Sequence, residues 1–418
     1  MRYEAVIRVP EAAWSDRKER TLKFPAGWKV KIYPMNGYGA EAASRIEVLH
    51  ALRNPIASKP LRKLAEGKRE VAIVFDDITR PTRVKEIVDP VLSELKAAGV
   101  RDDHIRFIAA LGAHGAMNRT EFAKKLGDEI VERYPVYNHN PFHGLEFLGE
   151  TSRGTPVEVN GEYASCDLRI GIGCIVPHPM AGFGGGAKIL LPGIASMNAI
   201  AHNHAVVGGY AENCEPNPTT GWEKNEGNVI RSDAEEFSRI AGLDFKVDVL
   251  INGFNESIGI YSGDAVEEQR AGVRDSGEIY SSDVPEDYDV VVLNASAKAN
   301  EACVALSNWY PFLKEGSTVV LIANPPSGQV THYAYGKFGK RLGGTIYNPP
   351  KSLKKIKKLI VYSEYPEADP LLPIARTEEI LWMKSWIDVL EEVKSSVRRE
   401  EIKVAIIPNA DVQRPRRS

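Results

Sequence analysis

The sequence predicts an α/β protein of two domains, each with a mainly parallel sheet. Three observations carry the prediction. Several short runs, among them 69–75 (REVAIVF), 104–111 (HIRFIAAL) and 287–293 (DYDVVVL), are largely apolar, as strands covered on both faces are. Stretches with apolar residues at helical spacing lie between them, and that alternation is the pattern of parallel strands joined by crossover helices. The chain has 418 residues, more than one core usually serves.

Residues 3–9 and 28–33 read as strands and 41–52 as a helix ending near Asn54-Pro55; none of them carries chemistry. The strand at 69–75 runs directly into Asp76-Asp77-Ile78-Thr79-Arg80-Pro81-Thr82-Arg83. Pro81 suits the first turn of a helix, which Val84, Ile87, Val88 and Val91 continue. Asp77 and Arg80 therefore fall on a strand-to-helix loop. They serve there either as a cap and a surface cation or, through the guanidinium fork, as a grip on a carboxylate.

The strand at 104–111 ends in Gly112-Ala113-His114-Gly115. The next strand starts at Leu168, runs through Ile170, Ile172, Ile175 and Val176, and stops at Pro177, with His178 directly after. Three successive strand ends thus carry polar residues: Asp77 and Arg80, then His114, then His178. Parallel α/β sheets bind ligands at those ends, which favours function over coincidence.

A glycine-rich loop follows at 182–188 (GFGGGAK), and from Pro192-Gly193 the chain turns helical through Ile194, Met197, Ile200 and Ala201, with His202 and His204 closing the segment. The loop is no Walker A motif, because Ala187 and Ile189 stand where a glycine and a hydroxyl belong. It fits a dinucleotide fingerprint formally, but the acidic residue expected about twenty positions later is missing. What remains is general chemistry. The amides of Gly184, Gly185 and Gly186 suit a phosphate, Lys188 stands beside them, and the two histidines suit a metal with an open position.

From residue 281 a second α/β unit begins. Strands are expected at 287–293, 318–323 and 359–362, and helices at 301–313 and 378–393. A last strand at 404–408 is expected to return to the first domain.

The composition excludes several classes. With 43% hydrophobic and 26% charged residues and a net charge of −3, nothing draws the chain generally to nucleic acid or to an anionic membrane. The basic runs 351–358 and 414–417 read as a solvated face and a frayed tail. No apolar run is long enough to span a membrane, and the N-terminus lacks a signal peptide's apolar core. Cys166, Cys174, Cys214 and Cys303 are scattered, which suits a reducing compartment, and the chain is expected to be cytoplasmic. His50, His104 and His332 read as surface residues. His139 and His143 flank Pro141 and read as loop residues near a site entrance, and His202 as structural support.

The ordered set DDITRP, LGAHG and PHPMAGFGGGAKILLPGIASMNAIAHNH resembles the signature of the nickel-pincer lactate racemase family. The likeness extends over 52–65 (LRNPIASKPLRKLA) and 227–273, and so over most of the N-terminal two-thirds. The resemblance implies a racemase or epimerase of 2-hydroxy carboxylates. Lys188 would carry a nickel-pincer nucleotide covalently, and His204 would ligate its nickel. His114 and His178 would be the alternating acid and base, Arg80 would hold the substrate carboxylate, and Asp77 would sit beside it among the cofactor-binding residues. The hydrogen on C2 is a poor acid, so its departure as hydride to the cofactor, with a histidine taking the hydroxyl proton, is the easier route.

Implied partners are a small 2-hydroxy acid and the enzymes that make and load the cofactor, with no nucleic acid and no membrane; a homo-oligomer is left open. The implied architecture is a cofactor-binding domain at 1–275, joined by the tail 401–418, a second domain at 276–400, and an active site in the cleft between them. Where the family has a Gly-Gly-Tyr-Pro-Lys-like run, this chain has Asn294-Ala295-Ser296-Ala297-Lys298. Lys298 still matches as a second carboxylate-binding cation. Gly184 stands where serine is common and Gln269 where histidine is frequent. These departures point beyond lactate, to a larger or sugar-derived 2-hydroxy acid. The competing readings are a zinc-type hydrolase using His114, His178 and His204, and a non-catalytic nucleotide- or metal-binding homologue.

Overall fold

The computed structural model describes residues 3–14, 17–211, 214–334, 353–367 and 380–416. It divides into two compact units. One comprises Glu41–Ser276 and Thr331–Tyr347, and the other Met1–Ala40, Gly277–Val330 and Asn348–Ser418.

The first unit is built on six strands in the order Ser257–Gly263, Phe245–Ile251, Leu168–Cys174, Val71–Asp76, Ile105–Ala110 and Val136–Asn138. Neighbours are parallel, except that the Ser257 strand runs antiparallel to its partner. Every residue of Val71–Asp76 and of Phe245–Ile251 is buried, which is why neither strand alternates. From the Val71 strand the chain steps outward to Ile105–Ala110 and Val136–Asn138. It then crosses back to lay Leu168–Cys174 on the other side. The strand order therefore reverses between the Val71 and Leu168 strands, and the crevice beyond their carboxyl ends is where such a sheet takes a ligand.

The segment after the Leu168 strand is not a mobile loop. Ala187, Ile189, Leu190, Leu191, Ile194 and Ile200 are buried in one cluster with Ala72, Val74 and Ile108 of the sheet. Each such aliphatic side chain contributes about 1.5–3 kcal/mol on burial, so the backbone that carries Lys188 and His204 is held by the core.

Two boundaries differ from the sequence expectation here. The helix after the Val71 strand is Lys85–Ala97, not a helix from Pro81, because Asp76–Thr82 is tied into a loop by side chains. The Leu168 strand ends at Cys174, and Pro177–His178 instead pairs antiparallel with Ala181–Phe183.

The second unit holds six parallel strands in the order Ile380–Met383, Ile356–Tyr362, Ser317–Ala323, Val290–Ala295, Lys403–Ile407 and Lys29–Ile32. This corrects the expected domain boundaries. Residues 1–40 and the tail belong here, because Lys403–Ile407 pairs with Val290–Ala295 on one edge and with Lys29–Ile32 on the other. The helix expected at 378–393 is a strand, Ile380–Met383, followed by a helix, Trp386–Val397; a short apolar run fits either element. Residues 378 and 379 of that expectation lie outside the described residues, as do Lys351 and Arg417 of the basic runs. No helix among the described residues is long and apolar enough to cross a membrane.

Candidate active site

The loop after the Val71 strand is fixed from inside. Lys125, wholly buried, extends its ammonium to Asp76 Oδ1 at 2.5 Å and to the carbonyls of Arg80 and Thr82 at 3.2 and 3.0 Å. Thr82 donates its hydroxyl to the other Asp76 oxygen. This clamp frees Asp77 to face the next strand end. Its Oδ2 accepts from His114 Nδ1 at 2.5 Å, while its Oδ1 accepts from the Thr79 amide at 3.0 Å and the Thr79 hydroxyl at 2.5 Å. Burial alone would push the Asp77 carboxyl up. The His114 charge and hydrogen bond, with Arg80 and Thr79, outweigh burial and hold it down at about 2.

Asp77 is thus an ionised partner for His114. With Nδ1–H committed to it, a neutral His114 keeps a lone pair on Nε2. Arg80 Nη1 donates to the Thr79 hydroxyl oxygen at 2.6 Å, so the guanidinium belongs to the same cluster.

His178 is held in the opposite tautomer. Its Nδ1 accepts the backbone N–H groups of Met180 and Ala181 at 3.2 and 3.1 Å, which puts the proton of the neutral ring on Nε2. Downstream, Met197–Ala201 is α-helical and His202–Val207 winds as a π-helical turn, a distortion frequent at functional sites. His204 is buried there, and its Nδ1 donates to the Ile200 carbonyl at 3.1 Å. Burial first, and the charge of Lys188 second, lower its imidazole to about 3. His204 is neutral at pH 7 with the Nε2 lone pair left for a ligand, and Lys188 is close enough to act on it. Lys188 itself is half-buried on the 3₁₀ turn Gly186–Ile189.

The glycine loop does not offer the expected phosphate cradle. The Gly184 amide donates to the Val176 carbonyl at 2.7 Å, and the Gly186 amide to Asp248 Oδ2 at 2.5 Å. The glycines serve close approach instead. A Cβ on Gly185, whose φ is 74°, would lie 2.6 Å from Asp248 Oδ2, and one on Gly186 would lie 2.7 Å from the Ala265 carbonyl.

One residue read as surface belongs in the cluster. His332 packs edge-on against His114, with ring centroids 5.0 Å apart and planes at 72°. Its main chain is bridged to the same strand end, with Gly115 donating to the Thr331 carbonyl at 2.9 Å and Tyr333 to that of Ala113 at 2.6 Å. Burial, then His114, His204 and Arg80, push its imidazole well below the usual range, and the Ala334 amide donates to its Nδ1 at 3.1 Å. No local pattern around His332 could have announced this. Thr79 and Lys125 were missed too. Thr79 lies inside a motif already singled out, but Lys125 sits in an ordinary polar helix.

The remaining candidates fall elsewhere. His139 is buried, its Nε2 bonded to the Ala195 carbonyl at 2.9 Å, with its imidazole lowered to about 4 by burial. His143 is exposed. His104 is half-buried against Glu70, at 2.7 Å. His202 completes a buried network through Thr155 to Asp233. Lys298 lies in the second unit, 1% exposed, just past the Val290 strand, where its amide meets Asp411. Among the described residues no three of His, Cys, Asp and Glu are grouped to hold a metal, so His114, His178 and His204 do not make a hydrolase's zinc site.

Residues 15–213 match the family described as the lactate racemase N-terminal domain. A lactate racemase of Thermoanaerobacterium thermosaccharolyticum is 32% identical over 218 residues, 52% of this chain and 50% of that protein. One of Lactiplantibacillus plantarum is 29% identical over 299 residues, 70% of this chain and 68% of that protein. The chain thus spans half the length of the first relative. Among solved structures, the lactate racemase apoprotein from T. thermosaccharolyticum aligns with a TM-score of 0.72 at 20% identity, covering 99% of this chain and 100% of that one. A Thermotoga maritima protein aligns with a TM-score of 0.64 at 17% identity, covering 91% of this chain and 100% of that one. These two likenesses are of fold.

Proposed function

We infer from the resemblance to the lactate racemases that this chain is a racemase or epimerase inverting C2 of a 2-hydroxy carboxylate. The observation that carries the reading is His204, buried and neutral, with its Nδ1 committed and the charge of Lys188 acting on it. That is the chemistry of a neutral nitrogen donor that would suit a divalent transition metal, next to an amine that can be acylated. These residues fit a nickel-pincer nucleotide, with Lys188 as its covalent attachment and His204 as the ligand to nickel. When bound, that group supplies an acceptor for the hydride that leaves C2 and later returns to it. A single imidazole from the protein suffices, since the cofactor brings the other donors. A zinc hydrolase needs three grouped protein ligands and lacks support here.

The chain's own residues handle the carboxylate and the proton. Arg80 binds the substrate carboxylate with its planar fork. His114, with Asp77 on Nδ1, takes the hydroxyl proton at Nε2 as the C2–H bond breaks. The ionised Asp77 stabilises the imidazolium that results. His178 presents a proton on Nε2 and faces the hydroxyl of the other enantiomer; acting as a base in its turn requires Nδ1 to release the Met180 and Ala181 amides. Asn294-Ala295-Ser296-Ala297-Lys298, standing where the family has a Gly-Gly-Tyr-Pro-Lys-like run, supports a 2-hydroxy acid other than lactate. The reaction is intracellular, since it depends on cofactor-loading enzymes.

The test is intact-mass and metal analysis of protein co-expressed with a pincer-nucleotide biosynthesis system, followed by assay of 2-hydroxy acid enantiomers. A mass increase on Lys188 with nickel, lost together with activity in Lys188→Ala, is the expected result. Full activity in Lys188→Ala would refute the assignment.

A further inference from the structure

Behind the loop that carries Lys188 lies a group of buried charges that the proposed chemistry does not use. Asp248, at 0% exposure, accepts the Gly186 amide on Oδ2 at 2.5 Å. Its Oδ1 is taken by Lys246, also fully buried, whose ammonium donates to the Val247 carbonyl as well. Arg231 reaches in from the helix Val229–Ala241 to the carbonyls of Phe183 and Gly184. Gln269, from the helix Glu267–Ile279, donates its amide to the Gly184 carbonyl at 3.2 Å.

Next to Gln269, Glu268 is wholly buried, and neither carboxylate oxygen meets a donor. An ionised Glu268 would be a buried carboxylate beside the Asp248 carboxylate with neither oxygen hydrogen-bonded, which is costly. A protonated Glu268 has a hydrogen to give, and the Asp248 carboxylate stands beside it as acceptor.

We propose that Glu268 is a carboxylic acid sharing its proton with Asp248, and that this pair is the positioning device for the loop bearing Lys188. The groups facing Glu268 are Asp248 and Lys246 from the strand Phe245–Ile251 and Arg231 from its helix; Tyr261 lies within its field, and Glu235 and Arg270 flank Arg231. Burial and the Asp248 charge raise the Glu268 carboxyl well above its ordinary range, against the weaker opposing pull of Lys246 and Arg231. The proton removes the repulsion between two adjacent carboxylates, and it leaves Asp248 both oxygens for Gly186 and Lys246. Gly186 is two residues from Lys188, so the carboxylate that holds its amide sets where the lysine stem begins.

The functional consequence rests on Lys188 being the cofactor attachment, but the placement does not, and the test uses the cofactor-free full chain. A carboxyl that is protonated folded and ionised unfolded makes folding take up a proton. Its stabilising share is therefore greatest below the ordinary Glu pKa of about 4.3 and declines as pH rises above it. Glu268→Gln mimics the neutral acid. Its melting temperature should match or exceed that of the wild type at pH 7, with the margin widening from pH 5 to pH 8. Carbon-13 NMR of the wild-type carboxyl, which needs no variant, should read a protonated acid at pH 7. For the loop, Asp248→Asn should raise amide hydrogen exchange at Gly184–Gly186 at least tenfold over the wild type, while Glu268→Gln leaves it unchanged. An ionised carboxyl signal at pH 7, a Glu268→Gln protein less stable at every pH, or unchanged loop exchange in Asp248→Asn would each overturn the proposal.

Discussion

Burial and a few identifiable neighbours together set the state of the shifted side chains at the site. Asp77 is such a neighbour for His114. Its carboxyl is held at about 2, below the ordinary value of about 3.9, so its stabilising share is complete above pH 4 and fades as pH falls toward 2. Asp77→Asn should therefore lose stability at pH 5, and the deficit in melting temperature should shrink on acidification. The same variant should lower kcat/KM of the cofactor-loaded enzyme roughly 10²-fold or more, since the His114 imidazolium loses its counter-charge. His332 acts on His114 through packing. An edge-to-face ring pair contributes about 1 kcal/mol, so His332→Ala should cost roughly fivefold in kcat/KM, read in a steady-state assay. The Lys188 charge acts on the His204 imidazole, whereas the glycines between the strand and Lys188 do a different task from the one their spacing suggests. A run of bare amides reads the same whether they face a ligand or an internal carboxylate, and here two of the three are taken by Val176 and Asp248.

At the scale of elements, the working parts are strand ends stiffened from behind. The loop 76–83 has no regular hydrogen-bond ladder, and Lys125 substitutes for one by bonding Asp76 and two carbonyls from a completely buried position. Removing one partner of a buried pair leaves the other uncompensated. Lys125→Met should therefore destabilise the protein by about 3 kcal/mol in chemical denaturation. It should also loosen Asp77 and Arg80, so kcat/KM should fall even though Lys125 touches no substrate. The π-helical turn His202–Val207 is the other device, since it places His204 with Nδ1 against Ile200 inside an otherwise α-helical run. Helical spacing places a helix from about residue 194, but the helix begins only at Met197, where the Ser196 hydroxyl accepts the Ala199 amide. That spacing had no means of calling the wider turn, because the difference is one backbone bond and not a change in apolar period.

At the scale of the whole molecule, two six-stranded sheets each reverse their strand order, one between the Val71 and Leu168 strands and one between the Val290 and Lys403 strands. The second sheet draws strands from both ends of the chain, so its integrity depends on the tail. Deleting 401–418 removes the strand between Val290–Ala295 and Lys29–Ile32. The expected outcome is rapid proteolysis within the second unit while fragments from 41–276 persist, as limited digestion with mass readout would show. The sequence by itself determined that the chain is α/β with mainly parallel sheets, that Asp77, Arg80, His114 and His178 fall just beyond three successive strands, and that Lys188 and His204 follow on the next segment. All of these depend on residues adjacent in the chain. Only the tertiary structure decided that Asp77 bonds His114 across 37 residues, that His332 packs on His114, that Asp248 captures the glycine loop, and that both termini join the second sheet. Apolar period reports which face of a segment is covered, but not by what. Partners distant in sequence are fixed by strand order and loop packing, which no local spacing encodes.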